Sequence, residues 1–189
     1  MLTLQGLFRL AVLPIIALLL VQQKAFPLIN LPHLQPYVSW LPVSIQSVIV
    51  SNRPSVTFSQ GTVVGSTIRD TLKNPVDAFR GIRYALPPVG DRRFRRAEPI
   101  GASDNIIDAS RFGPSCPGKQ LLPIKGDSGN SEDCLTVNVF RPHGIEGKLP
   151  VAVYVHGGAY NRGTASMHNT ASMVGWSDQP FIGVTFNYR

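Results

Sequence analysis

The rhythm of apolar and polar residues changes along this chain. Leu10 to Val21 runs without a polar residue. Residues 26–56 scatter apolar side chains among Pro27, Pro32, Pro36, Pro42 and Pro54, and no helical or alternating period survives there, apart from a short strand expected at Ser47–Val50. Folded character starts near Thr57. Thr62 to Ile68 is rich in β-formers, is flanked by glycine, and predicts one hairpin strand. Val76 to Tyr84 alternates apolar and polar, then meets the turn Pro87-Pro88-Val89-Gly90. Leu135 to Phe140 alternates and ends at Arg141-Pro142. Leu149 to Val155 and Phe181 to Phe186 are continuous apolar runs, the pattern of strands buried on both faces of a parallel sheet. Between them, Asn169 to Gly175 leaves room for a helical turn or two. Early strands with turns, then strand, loop-helix, strand, predict an α/β sheet entered from an antiparallel edge.

Composition sharpens this picture. Hydrophobic content of 43% and charged content of 15% exclude a disordered chain. The Leu10–Val21 run carries only Arg9 ahead of it and is shorter than the ~20 residues a bilayer span needs. It fits the apolar region of a secretory leader over residues 1–25, cleaved or retained as a signal anchor, with 26–56 as a proline-rich linker. No stable membrane span is expected, and the predicted location is extracellular, or membrane-anchored if the leader stays. The formal charge of +7 could suit a polyanion. However, Arg80, Arg83, Arg92, Arg93, Arg95 and Arg96 supply much of it in one stretch without a nucleic-acid module, so a solvated or internally paired face is expected and no nucleic-acid partner. Two cysteines after a leader suggest one disulfide, with two free buried thiols in a reducing compartment as the alternative. Neither has metal-ligand spacing, so no metal and no cofactor is expected.

The chemistry-bearing pattern is the apolar run that ends in His156-Gly157-Gly158-Ala159. A buried strand opening into small residues lets backbone N–H groups approach a ligand; a glycine-rich turn without a ligand is the alternative. His156 invites a general-base role, but shaping the loop by hydrogen bonding suits it better. Gly126-Asp127-Ser128-Gly129 imitates a protease nucleophile, yet the only upstream histidine, His33, sits in the proline-rich stretch, so a polar loop is expected. Glu132 and Asp133 are neighbours on an extended chain and face opposite ways, so they cannot share a proton as a catalytic pair.

Phe79 to Phe94 resembles the F-x-G-I-x-Y-A-x-P-P-V-G-x-x-R-F block of type-B carboxylesterases, the cholinesterase-like α/β-hydrolases. Arg111 to Pro117 is similar to the segment that holds the first cysteine of their N-terminal disulfide. Ser131 to Val139 is similar to the S-E-D-C-L-x-L-N signature that holds the second. Pro150 to Tyr160 resembles the oxyanion strand and loop, and Phe181 to Arg189 the strand ending in N-Y-R. The resemblance spans about residues 57–189, five blocks in order.

It implies the N-terminal part of an α/β-hydrolase fold and a carboxylic-ester hydrolase acting on a small-molecule or lipid ester. It also implies a Cys116–Cys134 disulfide and an arginine partner for Glu132, either Arg83 or one of the later cluster. Gly157, Gly158 and Ala159 would form the oxyanion loop, with the N–H groups of Gly158 and Ala159 as donors. The family's serine, acid and histidine come later in the chain. No Gly-x-Ser-x-Gly occurs here, so no catalytic triad residue is expected within these 189 residues and the chain itself is expected to be inactive. A non-catalytic binding or adhesion protein, or a truncated product without function, are the competing readings. Ala159 replaces the family's third glycine, which should be tolerated unless the position needs a positive φ. Arg83 stands where proline is frequent, and Leu86 where a polar residue is.

Overall fold

The computed structural model describes residues 53–119 and 129–189. The expected leader, nearly all of the linker, the Ser47–Val50 strand and the Gly126–Ser128 loop lie outside the described residues.

Two sheets form. Strands β1 (Ser55–Phe58) and β2 (Gly61–Val64) make an antiparallel hairpin. Its turn closes on Gly61 at φ 123°, where a Cβ would sit 2.3 Å from the Asn105 carbonyl oxygen. The expected single strand Thr62–Ile68 is in fact broken at Gly65, because β2 and β3 (Ser66–Ile68) belong to different sheets. A Cβ on Gly65 would lie 2.6 Å from the Ala78 carbonyl oxygen, so the chain crosses between sheets where only glycine fits.

β4 (Val76–Arg83), β6 (Thr136–Pro142), β7 (Val151–Tyr154) and β8 (Ile182–Phe186) complete the larger sheet, in the order β3-β4-β6-β8-β7. Between β4 and β6 the chain adds β5 (Ile106–Asp108), which pairs in parallel with β2 and was not legible in the sequence. The larger sheet is antiparallel except for the β7–β8 pair, which is parallel as expected. The alternation of β4 breaks between Phe79 and Ile82, where the register shifts; Gly81 takes φ 71° there and donates its N–H to Asn138 Oδ1 at 2.9 Å. β6 alternates buried and part-buried residues throughout and runs on through Pro142, past its expected end.

Helix α1 (Thr170–Gly175) links β7 to β8, capped at its start by Asn169, whose side chain accepts from the Ser172 N–H. It presses Ala171 and Val174 onto Val76, Ala78 and Phe140 of the sheet. A second cluster joins Val63 of the small sheet to Phe79 and Ile82 of the large one around Ala109.

One burial expectation is overturned. Val151–Val155 is not buried on both faces: Val151, Val153 and Val155 are each 58% exposed. Among the described residues β7 is the edge strand, hydrogen-bonded only to β8, and α1 covers the sheet's middle instead. A continuous apolar run reports what a strand needs, whereas burial here counts only what the described residues supply.

Cys116 and Cys134 are disulfide-bonded with their Cα atoms 5.0 Å apart. Cys134 packs with Ala85 and Leu135 in a third cluster. Closing a loop with a sequence separation of 18 restricts the unfolded chain by about 3 kcal/mol in the chain-entropy picture. The double variant Cys116→Ser/Cys134→Ser should therefore lose about 3 kcal/mol in equilibrium urea unfolding. A loss below about 1 kcal/mol would show that the native packing, and not the loop closure, carries this corner.

Candidate functional site

The loop that leaves β7 is folded tightly back on itself. The Asn161 and Arg162 N–H groups both donate to the Gly158 carbonyl, at 3.2 and 3.1 Å. A Cβ at Gly158 would lie 1.6 Å from the Arg162 carbonyl oxygen. Gly163, at φ 111°, would bring its own Cβ within 2.4 Å of the Gly157 carbonyl oxygen. Glycine is thus imposed on positions 158 and 163 by backbone approach. Gly157 differs: its φ is not left-handed and an added Cβ would meet nothing within 4 Å. No described atom requires glycine at 157, and the space before it is open.

Ala159 and Tyr160 both adopt left-handed backbone, with φ 50° and 62°. Alanine therefore sits where the sequence comparison anticipated glycine and where glycine would be less strained. Ala159→Gly should relieve this by up to about 1 kcal/mol, seen as a higher unfolding midpoint at unchanged m-value. A lower midpoint would mean the alanine methyl contributes packing that outweighs the strain.

Among the described residues, the N–H groups of Gly157, Gly158 and Ala159 have no acceptor. They sit on an open groove of about 1450 Å³ that also receives Phe94, Tyr160, Arg162 and Met167. Unpaired donors on small residues beside an open volume can stabilise negative charge developing on a bound oxygen.

The loop is held at both ends by the residues that follow β8. At its entry, His156 is 6% exposed and stacks on Tyr188 with ring centroids 4.5 Å apart. The Tyr188 hydroxyl donates to the His156 carbonyl. The His156 Nδ1 lies 3.1 Å from the Gly157 carbonyl oxygen. The imidazole is consequently enclosed in the loop's own frame. At the exit, buried Asn187 accepts from the Ala165 N–H at 2.8 Å and from the Thr164 hydroxyl at 3.1 Å, while its amide donates to the Pro114 carbonyl at 2.9 Å. The Tyr84 hydroxyl, kept protonated to higher pH by burial, donates to the Asn187 carbonyl at 2.9 Å. Sequence reasoning marked Asn187 and Tyr188 only as the end of a family block and assigned them no role. A polar Asn-Tyr pair straight after a strand was the only local signal.

Glu132 pairs with Arg93 at 2.8 Å on the groove wall. Asp133 pairs with Arg83 through both carboxylate oxygens. The two carboxylates face different arginines and share no proton. Hydrogen bonding to Arg83 holds the Asp133 carboxyl below its usual range. A depressed folded-state pKa stabilises above the unfolded carboxylate value, and that stabilisation is lost as pH falls through the folded value. The pair is part-exposed, so it contributes at most about 1 kcal/mol. Arg83→Gln should therefore raise the midpoint of acid unfolding slightly and leave stability at pH 10 relative to pH 7 unchanged. An unmoved acid midpoint would assign the pair no net contribution.

Among the described residues, no group of three or more His, Cys, Asp or Glu could hold a metal ion, and no helix is long and apolar enough to cross a membrane.

The sequence model described as "Carboxylesterase family" matches residues 52–189. Phenmedipham hydrolase of Pseudarthrobacter oxydans is 39% identical over 124 residues, covering 62% of this chain and 25% of the relative. Para-nitrobenzyl esterase of Bacillus subtilis (strain 168) is 38% identical over 139 residues, covering 71% and 27%. Secreted lipase 4 of Gibberella zeae is 38% identical over 132 residues, covering 68% and 24%. Among solved structures, Aspergillus niger EstA superposes with a TM-score of 0.61 at 35% identity, covering 74% of this chain and 26% of that one. Juvenile hormone esterase from Manduca sexta, with OTFP covalently attached, superposes with a TM-score of 0.64 at 30% identity, covering 73% and 27%. The chain spans about a quarter of the length of the curated relatives it matches.

Proposed function

The chain belongs to the carboxylesterase family and carries part of its α/β-hydrolase fold, and from that premise we propose that it supplies the charge-stabilising half of a serine carboxylic-ester hydrolase. Ester hydrolysis passes through a tetrahedral intermediate whose carbonyl oxygen becomes an oxyanion. Donors already aimed at that oxygen lower the barrier without reorganising as the charge develops. The single observation that carries the reading is the set of unpaired N–H groups on Gly157, Gly158 and Ala159 beside the open groove. The Gly158 and Ala159 N–H groups serve as the donors. Gly157 keeps the approach to them clear.

His156 takes no proton in this scheme, since its ring is stacked on Tyr188 and enclosed by the loop. The nucleophilic serine, the acid and the catalytic histidine come from outside these 189 residues. The substrate is a small-molecule or lipid ester, and the chemistry calls for no cofactor. Residues 1–25 act as a secretory leader and 26–56 as a linker, which places the product outside the cell. The disulfide and the likeness to a relative named secreted lipase 4 support that route.

The test is a chimera in which residues 53–189 replace the matching segment of para-nitrobenzyl esterase. It should hydrolyse a p-nitrobenzyl ester. After reaction with a phosphonate, its crystal structure should place the phosphonyl oxygen about 2.7–3.1 Å from the Gly158 and Ala159 nitrogens. A phosphonyl oxygen that contacts neither nitrogen would refute the assignment.

A further inference from the structure

The groove beside the loop carries a strong charge imbalance. Its lining includes the side chains of Arg93, Arg95, Lys119, Arg162 and Arg189, against one acidic side chain, that of Glu132. Arg93 is matched by Glu132 at 2.8 Å. The Arg189 guanidinium donates to the backbone carbonyls of Arg92 and Arg95, which neutralise nothing. The side chains of Arg95, Lys119 and Arg162 have no hydrogen-bond or ion-pair partner among the described residues.

Backbone bonds tie the main chain of two of these residues to the loop that carries the unpaired amides. Lys119 N–H donates to the Asn161 carbonyl at 2.7 Å, and Arg162 N–H donates to the Gly158 carbonyl. Arg189 follows Tyr188, whose hydroxyl donates to the His156 carbonyl. Two fully exposed aromatic rings, Phe94 and Tyr160, share the groove. Each stands on left-handed backbone, at φ 60° and 62°, a conformation that costs energy for a large side chain. The groove therefore offers apolar surface for the body of a ligand and, for one end of it, positive charge that no carboxylate side chain among the described residues pairs.

We propose that this groove selects esters that carry a second, anionic group, a carboxylate or a phosphate, held by Lys119, Arg162, Arg95 and Arg189 while the ester carbonyl meets the Gly158 and Ala159 amides. The proposal rests on the oxyanion reading of that loop and adds the substrate's charge to it. Attraction between such charges is strong at low ionic strength and is screened within about 8 Å at physiological salt.

The experiment is an NMR titration of the full 189-residue chain, labelled with 15N, with monoethyl glutarate and with neutral diethyl glutarate. The shifts of the Gly158 and Ala159 amides are followed at 10 mM and 300 mM NaCl. The half-ester should bind at least tenfold more tightly than the diester at 10 mM NaCl, and the gap should close at 300 mM. Lys119→Gln/Arg162→Gln should reduce the gap to below threefold. Neither side chain has a partner among the described residues, so the fold should stand. Arg96→Gln, which removes a cation outside the groove, should leave the gap intact. Equal affinities at low salt would overturn the anion selection alone. The same gap in the double variant, or an equal fall with Arg96→Gln, would reduce it to an effect of overall charge. If neither ester moves these amides, the oxyanion reading fails together with the proposal.

Discussion

Asn187→Ala should destabilise the fold by about 3–5 kcal/mol, the largest loss expected of any single side chain in the site. The side chain is 3% exposed and satisfies three groups from two separated segments: the Ala165 N–H, the Thr164 hydroxyl and the Pro114 carbonyl. Truncation would leave the buried Ala165 N–H unmatched, take the donor from the part-buried Pro114 carbonyl, and leave the Thr164 hydroxyl with the Ser166 hydroxyl alone at 3.3 Å. Each unpaired buried group costs about 1–3 kcal/mol, and the three are coupled because they share one amide. The backbone bond from the Asn187 N–H to the Thr136 carbonyl remains, so β8 stays paired to β6 while the loop's exit is released. Urea unfolding followed by circular dichroism measures the loss. A cost below about 1 kcal/mol would mean that Thr164 and Ala165 are held by something other than this amide.

Gly158→Ala should be the most damaging change for chemistry. Its methyl would be placed 1.6 Å from the Arg162 carbonyl oxygen, a backbone atom that cannot swing aside as a side-chain end could. The turn closed by the Asn161 and Arg162 N–H groups must then open, which displaces the Gly158 and Ala159 N–H groups from the place proposed for the substrate carbonyl. Losing one such donor typically lowers kcat by about 10²–10³. In the para-nitrobenzyl esterase chimera, Gly158→Ala should reduce kcat by at least that factor with a smaller change in KM. Gly157→Ala provides the contrast. It meets no described atom, so the fold should accept it, and whatever activity it loses reports contact with substrate. Equal, mild effects of both substitutions would contradict the geometry assigned to the loop.

Much of the sheet was legible because its determinants are local. Leu135 to Phe140 alternates, and β6 buries every second residue. The runs before His156 and up to Phe186 predict the parallel pair that forms. Legibility ended where a distant segment decides the outcome. Gly65 ends one strand because of the Ala78 backbone, which no window around residue 65 contains. β5 has only three residues and needs β2 as its partner to exist as a strand. Val151, Val153 and Val155 are exposed because β7 has only β8 beside it among the described residues.

The site divides in the same way. Gly157, Gly158 and Ala159 stand out as small residues after an apolar run, and the family blocks add their meaning. The left-handed φ of Ala159 is a property of the closed turn and could be posed beforehand only as a condition. Asn187 and Tyr188 act across more than twenty residues of intervening chain, on Thr164 and His156. Their roles appear only once the strand brings them alongside the loop.

The measurement that bears most directly on the central claim is turnover by the purified 189-residue chain itself. On the proposed reading the chain contributes donors for an oxyanion but no nucleophile. Enzymes that lose a triad member keep about 10³–10⁴-fold catalysis over water only when the rest of a closed site is intact. With p-nitrophenyl butyrate, the account predicts no hydrolysis above a serum-albumin control and no serine modified by a phosphonate in intact-mass and peptide analysis. Turnover accompanied by phosphonate labelling of Ser128, or of any other serine in the chain, would contradict it and move the chemistry inside these residues.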